Sequence, residues 1–108
     1  MASRRLLPLG LILALALLAS PAAALAADDP LAQANAAYAQ RGDLAQAQRA
    51  ADLYAQALAA NPKSDEAAYR LAMAWYWLGL NAPEGKDLEP FEKAVNAAKR
   101  AVEINPDS

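Results

Sequence analysis

The chain has 108 residues, 10 of them basic and 12 acidic, with no cysteine and no histidine. That length holds one small domain. It excludes disulfides, thiolate chemistry and lipid-modified cysteine, and lacks the commonest general base and metal ligand. The formal net charge of −2 becomes −4 once Arg4 and Arg5 are set aside, which leaves 8 basic side chains against 12 acidic ones and argues against a nucleic-acid partner.

The chain opens with the pattern of an export signal. Arg4 and Arg5 form a basic n-region, residues 6–19 (LLPLGLILALALLA) an apolar h-region, and Pro21 breaks the helix. Ala24, Leu25 and Ala26 then place small residues at cleavage-site spacing. The reading is a signal peptide over residues 1–26, cut after Ala26 with Ala27 as the second choice, and a repeat domain over 27–108. The alternative is an uncleaved anchor in the inner membrane, since residues 6–27 carry no charge and a span needs about 20 residues. Pro21 and the alanine-rich second half weigh against it. A cleaved signal implies a periplasmic or secreted protein.

Much of the hydrophobic content is alanine, which favours helix while burying little area. With no threonine and a single phenylalanine, strands are disfavoured and the fold class is all-α. Four helices follow in order. The first is predicted over residues 30–41, with Asp29 as N-cap, Pro30 in the first turn and Gly42 as the C-terminal stop. The second is predicted from Asp43 to Ala60, ending at Asn61 and Pro62. The third starts at Ser64, Asp65 and Glu66, a cap followed by acids that suit the positive end of the helix dipole, and stops at Gly79. The fourth starts at Glu89 and Pro90 and ends at Asn105 and Pro106. The first two connections are short and demand antiparallel neighbours. Residues 80–89 (LNAPEGKDLE) form a longer loop.

Two stretches repeat each other. Residues 50–64 read AADLYAQALAANPKS and residues 94–108 read AVNAAKRAVEINPDS, an offset of 44 from Ala50 to Ala94. A helical period of this size marks a solenoid, whose units present a surface and bury each other's apolar faces.

On these residues the chain resembles the tetratricopeptide repeat, a helix–turn–helix unit of about 34 residues. In the second unit Leu71 and Ala72 match the Leu-Gly pair, Trp75 the tyrosine, Gly79 the turn glycine, and Pro106 the closing proline. Ala94, Ala98 and Ala101 match the small–aromatic–small series, with alanine in place of the aromatic. The first unit carries Leu31, Ala34, Asn35 and Tyr38, then Ala50, Tyr54, Ala57 and Pro62. An insertion over residues 81–90 accounts for the longer offset, and the second helix is about one turn longer than the pattern. A narrower similarity, to the repeat-containing T component of TRAP-type transporters, rests on YWLGLNAP, the inserted loop and FEKAVNAAKRAVEINPDS.

The resemblance implies a repeat-packing set of Tyr54, Ala57, Pro62, Leu71, Ala72, Trp75, Gly79, Ala94, Ala101 and Pro106. It also implies a partner-binding groove lined by Tyr69, Arg70, Met73, Tyr76 and Trp77. The competing reading is that these side chains pack on other helices. Glu84, Asp87 and Glu89 lack the spacing of a calcium loop, so no metal is expected, and no cofactor. Ser64 is a helix cap with no histidine to activate it, and Glu66 and Glu89 pair with Arg70 and Lys93. The chain is thus read as a non-catalytic, exported module that binds a protein or peptide and has the capacity to form homo-oligomers. One alternative is a transport-accessory component taking a small apolar or organic-acid solute. Another is a truncated fragment of a longer array.

Overall fold

The computed structural model describes residues 29–107. The export-signal reading, its cleavage site and Ser108 lie outside these residues. Within them four α-helices follow one another and no strand occurs: α1 (Pro30–Ala39), α2 (Leu44–Ala60), α3 (Asp65–Leu80) and α4 (Leu88–Ile104). No described helix is long and apolar enough to cross a membrane.

Side-chain caps fix three of the four starts, each satisfying an amide that the helix leaves without a partner. Asp29 accepts from Leu31 N at 3.1 Å, Asp43 from Ala45 N at 3.0 Å, and Ser64 from Ala67 N at 3.1 Å. Asp87 precedes α4 without such a bond. The repeated Asn-Pro terminators adopt the same turn twice. Asn61 N donates to Ala57 O at 3.0 Å while the Asn61 side chain accepts from Lys63 N at 3.3 Å. Asn105 N donates to Ala101 O at 2.9 Å while its side chain accepts from Asp107 N at 3.1 Å. The sequence repeat is therefore also a repeat of local geometry.

Two glycines differ from the sequence reading. α1 ends at Ala39, capped by Gln40, and Gly42 does not adopt the positive φ of a C-terminal stop. α3 runs through Gly79 to Leu80. Gly79 is there for proximity, since a Cβ at this position would lie 2.5 Å from the Phe91 ring. Adding it gains helix propensity, about 1 kcal/mol, and overpacks the α3–α4 crossing, typically about 1–3 kcal/mol. Gly79→Ala is expected to lower the urea midpoint in the native chain and to raise it in a Phe91→Ala background.

Each helix packs on its neighbour, α1 on α2, α2 on α3 and α3 on α4. Gly79 meets Phe91 at one end of the last pair, and Asn105 donates to Asp65 at 2.9 Å at the other, so α3 and α4 run antiparallel. Arg100 reinforces that end by donating to Pro62 O at 3.0 Å. The interior is mostly alanine, which lets helix backbones approach closely. Ala34, Ala37, Ala50, Ala51 and Ala74 surround Tyr54, with Leu71, Trp75 and Leu78 of α3 packed against them. Tyr54 is the one large side chain fully buried among the described residues.

Burial lifts the Tyr54 phenol above its ordinary value, although Arg70 beside it pulls the other way. The folded chain thus keeps a proton that the unfolded chain releases. The linked stability is complete below about pH 10, the ordinary phenol value, and is lost as pH rises through the folded value. The thermal midpoint is expected to fall between pH 9 and 11, with a shallower slope in Tyr54→Phe.

Candidate functional site

Among the described residues the helix ladder leaves an apolar groove of about 630 Å³ between α3 and α4. α3 supplies Tyr69, Ala72, Met73, Tyr76, Trp77 and Leu80. α4 supplies Ala94, Val95, Ala98, Ala101 and Val102, and Tyr38 of α1 closes one side. None of these side chains is charged. Large apolar side chains stand half in solvent along it, with Tyr69 47%, Tyr76 50%, Val95 52% and Val102 53% exposed. A smaller hollow lined by Leu88, Phe91, Glu92, Val95 and Asn96 shares Val95 with it.

The spacing explains why these residues share a face. Tyr69, Met73, Tyr76 and Leu80 follow one another at four, three and four residues, which aligns them along α3. The opposite face of α3 carries Leu71, Ala74, Trp75 and Leu78, which pack on the core. α3 is consequently apolar on both sides, with only one side covered by the helices before it.

Four of the five residues read as a groove line this site: Tyr69, Met73, Tyr76 and Trp77. Arg70 does not. Its Nε donates to Glu66 Oε1 at 3.0 Å, and its guanidinium stands beside the Tyr54 hydroxyl. That hydroxyl in turn donates to Asn35 Oδ1 at 2.6 Å. Arg70 therefore joins α3 to the polar end of the buried tyrosine.

Trp77 has a double role. Its Nε1 donates to the Arg41 carbonyl at 3.0 Å, and the Arg41 guanidinium stands 5.0 Å from its ring and 4.6 Å from that of Tyr38. The tryptophan edges the groove while tying α3 to the turn after α1. Arg41 Nη1 donates to the Tyr38 carbonyl at 3.3 Å while its buried Nε has no hydrogen-bond partner, so that one hydrogen bond and the stacking against the two rings hold this guanidinium. Trp75 faces away from the groove, half-buried against the core, with Lys93 Nζ 4.3 Å from its ring.

The repeat-packing set spreads over a range of burial. Tyr54, Ala57, Gly79 and Ala101 are buried, and Leu71, Ala72, Trp75 and Ala94 are half-buried. Pro62 and Pro106 are exposed. Ala72, Ala94 and Ala101 all contribute to the groove wall. Of the small series on α4, Ala97 is buried and Ala98 is open.

Sequence reading missed Val95 and Val102 of the groove, Leu80 at its end, and Arg41. Leu88, Phe91, Val95, Ala98 and Val102 recur at alternating spacings of three and four, a weak signal because charged residues stand between them and Val95, Ala98 and Val102 are small or β-branched surface types.

The inserted loop lies away from the groove. Glu84, Lys86 and Asp87 are exposed, and Gly85 takes a positive φ of 82° beside the turn in which Lys86 N donates to Pro83 O. Among the described residues no three acidic side chains converge as a metal site would require. Ser64 caps α3, and Glu66–Arg70 and Glu89–Lys93 form i,i+4 pairs at 3.0 and 3.1 Å.

Comparison of the chain with protein-family models, with curated proteins and with solved structures finds no match. The functional reading therefore rests on the groove itself.

Proposed function

We propose that this chain is an exported, non-catalytic scaffold module, built like two tetratricopeptide units, that binds a protein or peptide in the α3–α4 groove. The observation that carries the reading is the set of half-exposed Tyr69, Met73, Tyr76, Val95 and Val102 along one uncharged groove. Aromatic and methionine side chains on an otherwise polar surface are the usual anchors of protein contacts. The two phenols add polar tips that can orient a bound backbone. The same apolar run in a monomer with no partner is a solubility liability.

A small-molecule role is the second reading, as an accessory component of a solute transporter. The groove volume, about 630 Å³, lies within the range of small-ligand sites. An organic acid fits poorly, because no cation lines the groove and Arg70 is engaged by Glu66 and Tyr54. A neutral apolar solute is the version that remains.

A photo-crosslinking residue placed at Met73 in exporting cells separates the two. The protein-binding reading expects one adduct of defined mass that disappears in Tyr76→Ala. A stoichiometric small molecule in native mass spectra of the purified chain, with no protein adduct, favours the solute reading. The same sample tests export. The mature mass is expected to begin at Ala27 or Asp28, and an intact Met1 form in the membrane fraction overturns cleavage.

A further inference from the structure

The repeat offers an internal control for what belongs in the groove. With the offset of 44, the seam of α4 (Leu88, Phe91, Val95, Ala98 and Val102) corresponds to Leu44, Ala47, Ala51, Tyr54 and Leu58 of α2. Helix α2 is flanked on both sides, by α1 and by α3. Its Ala47, Ala51 and Tyr54 are fully buried, and Leu58 is half-buried. Among the described helices α4 packs chiefly on α3. Its counterparts Val95 and Val102 stand 52% and 53% exposed, and Ala98 is open. Leu44 at the start of α2 is 45% exposed and Phe91 is half-buried, so the contrast lies further along the seam, where Ala51, Tyr54 and Leu58 are covered and Val95, Ala98 and Val102 are exposed.

On α4 this stretch faces the groove, whereas on α2 it is covered by a helix, α3. That helix presents Leu71, Ala74, Trp75 and Leu78 at i, i+3, i+4 and i+7 toward the core. We propose that the α3–α4 groove takes an amphipathic α-helix of this pattern, supplied by a partner protein and seated on α4 as α3 is seated on α2. This rests on the reading of the groove as a protein-binding site and specifies the partner's chemistry.

Three features favour a helix. On the α3 wall Tyr69-Met73-Tyr76-Leu80 follow at four, three and four residues, and on the α4 wall Val95 and Val102 lie seven residues apart, so both walls run along a helix axis as packing against another helix requires. The floor is made of Ala94, Ala98 and Ala101, which allows close backbone approach. Ala98 stands where the first unit has Tyr54. An aromatic filled that space within the repeat, so a bulky side chain of the incoming helix has room to fill it here.

A second copy of this chain is the poorer occupant. The stripe that would fit, Leu71, Ala74, Trp75 and Leu78, is already packed on the core. Two copies meeting face to face oppose one recess to another, which leaves both alanine floors uncovered.

The test uses the full chain and a dye-labelled peptide with the sequence of residues 65–80, read by fluorescence anisotropy. Saturable one-to-one binding is expected. Ala98→Tyr, which fills the floor, and Val102→Glu, which charges an exposed wall, are each expected to weaken it at least tenfold. Gln56→Ala, exposed on α2, is expected to leave it unchanged. Helical circular dichroism verifies that the variants remain folded. A peptide with Leu71→Ser and Trp75→Ser is expected not to bind. Absence of binding, or binding indifferent to Ala98→Tyr, overturns the proposal. If helix peptides fail while extended peptides selected against the chain bind and are lost in Tyr76→Ala, the helix is wrong and the protein-binding reading stands. If neither kind binds, both fall. A concentration-dependent dimer in sedimentation velocity, dispersed by Val102→Glu, makes a second copy the occupant and overturns the partner helix.

Discussion

Tyr54→Ala is expected to unfold the chain, or to leave it close to its unfolding midpoint at 25 °C. Truncating a buried large aromatic typically removes about 3–5 kcal/mol, and a natural domain holds only about 5–15 kcal/mol in total. The described helices approach the lower end of that range, because most of their buried side chains are alanines and contribute little apolar area each. Tyr54 has 0% exposure at the meeting point of three helices. Its ring meets Tyr38 edge-on at 6.4 Å, and its hydroxyl donates to Asn35 of α1 beside the guanidinium of Arg70 of α3. The neighbours cannot collapse into the hole without moving helix backbones that already lie close together. Tyr54→Phe keeps the ring and loses only the hydroxyl bonds, so it is expected to lower stability by about 1–2 kcal/mol. Urea unfolding followed by circular dichroism separates the two. Equal effects would mean that the hydroxyl network, and not the ring, holds the three helices together.

The parts of the fold that were legible in the sequence are those fixed by local chemistry. Asp29, Asp43 and Ser64 cap helices because each offers a side-chain oxygen at the right distance from orphan amides, and that needs no tertiary information. The Asn61 and Asn105 turns were legible for the same reason. The two glycines were not. Gly42 looked like a stop signal, but the chain turns there without positive φ. Gly79 looked like a turn residue and instead admits Phe91 from a helix more than ten residues away, through an approach that no local pattern encodes.

The groove was legible on one wall only. Tyr69, Met73, Tyr76 and Trp77 drew attention because aromatics on the second face of a helix are conspicuous. Val95 and Val102 did not, because two valines among charged residues resemble ordinary surface composition until Ala97 and Ala101 are known to face inward. Arg41 was hidden for a different reason. Its partners are Tyr38, three residues before it, and Trp77, on another helix, and only the fold brings both rings around one guanidinium. Arg70 shows the converse. Its sequence position suggested a ligand contact, but Glu66 one turn earlier accepts from its Nε and the guanidinium stands beside Tyr54 on α2.

Trp77 is where stability and binding meet, so its substitution is expected to affect both. Trp77→Ala removes a half-buried indole, the hydrogen bond to the Arg41 carbonyl and one of the two rings that enclose the guanidinium. Loss of packing at a half-buried site is expected to fall short of the about 3–5 kcal/mol of a fully buried tryptophan. The hydrogen bond contributes about 1 kcal/mol, and the cation–π contact about 0.5–2 kcal/mol according to its burial. A total loss of about 3 kcal/mol is expected. Trp77→Phe keeps a ring against Arg41 and loses the N–H, so about 1–2 kcal/mol is expected. Arg41→Ala provides the second edge of a double-mutant cycle. Coupling between Arg41 and Trp77 of at least about 0.5 kcal/mol is expected if the stack is real, and additivity would dissolve it. Tyr76→Ala supplies the contrast, since Tyr76 is 50% exposed and its one ring contact is Phe91 at 5.9 Å. It should leave the urea midpoint nearly unchanged while weakening partner binding. A groove residue whose loss unfolds the chain would instead belong to the core.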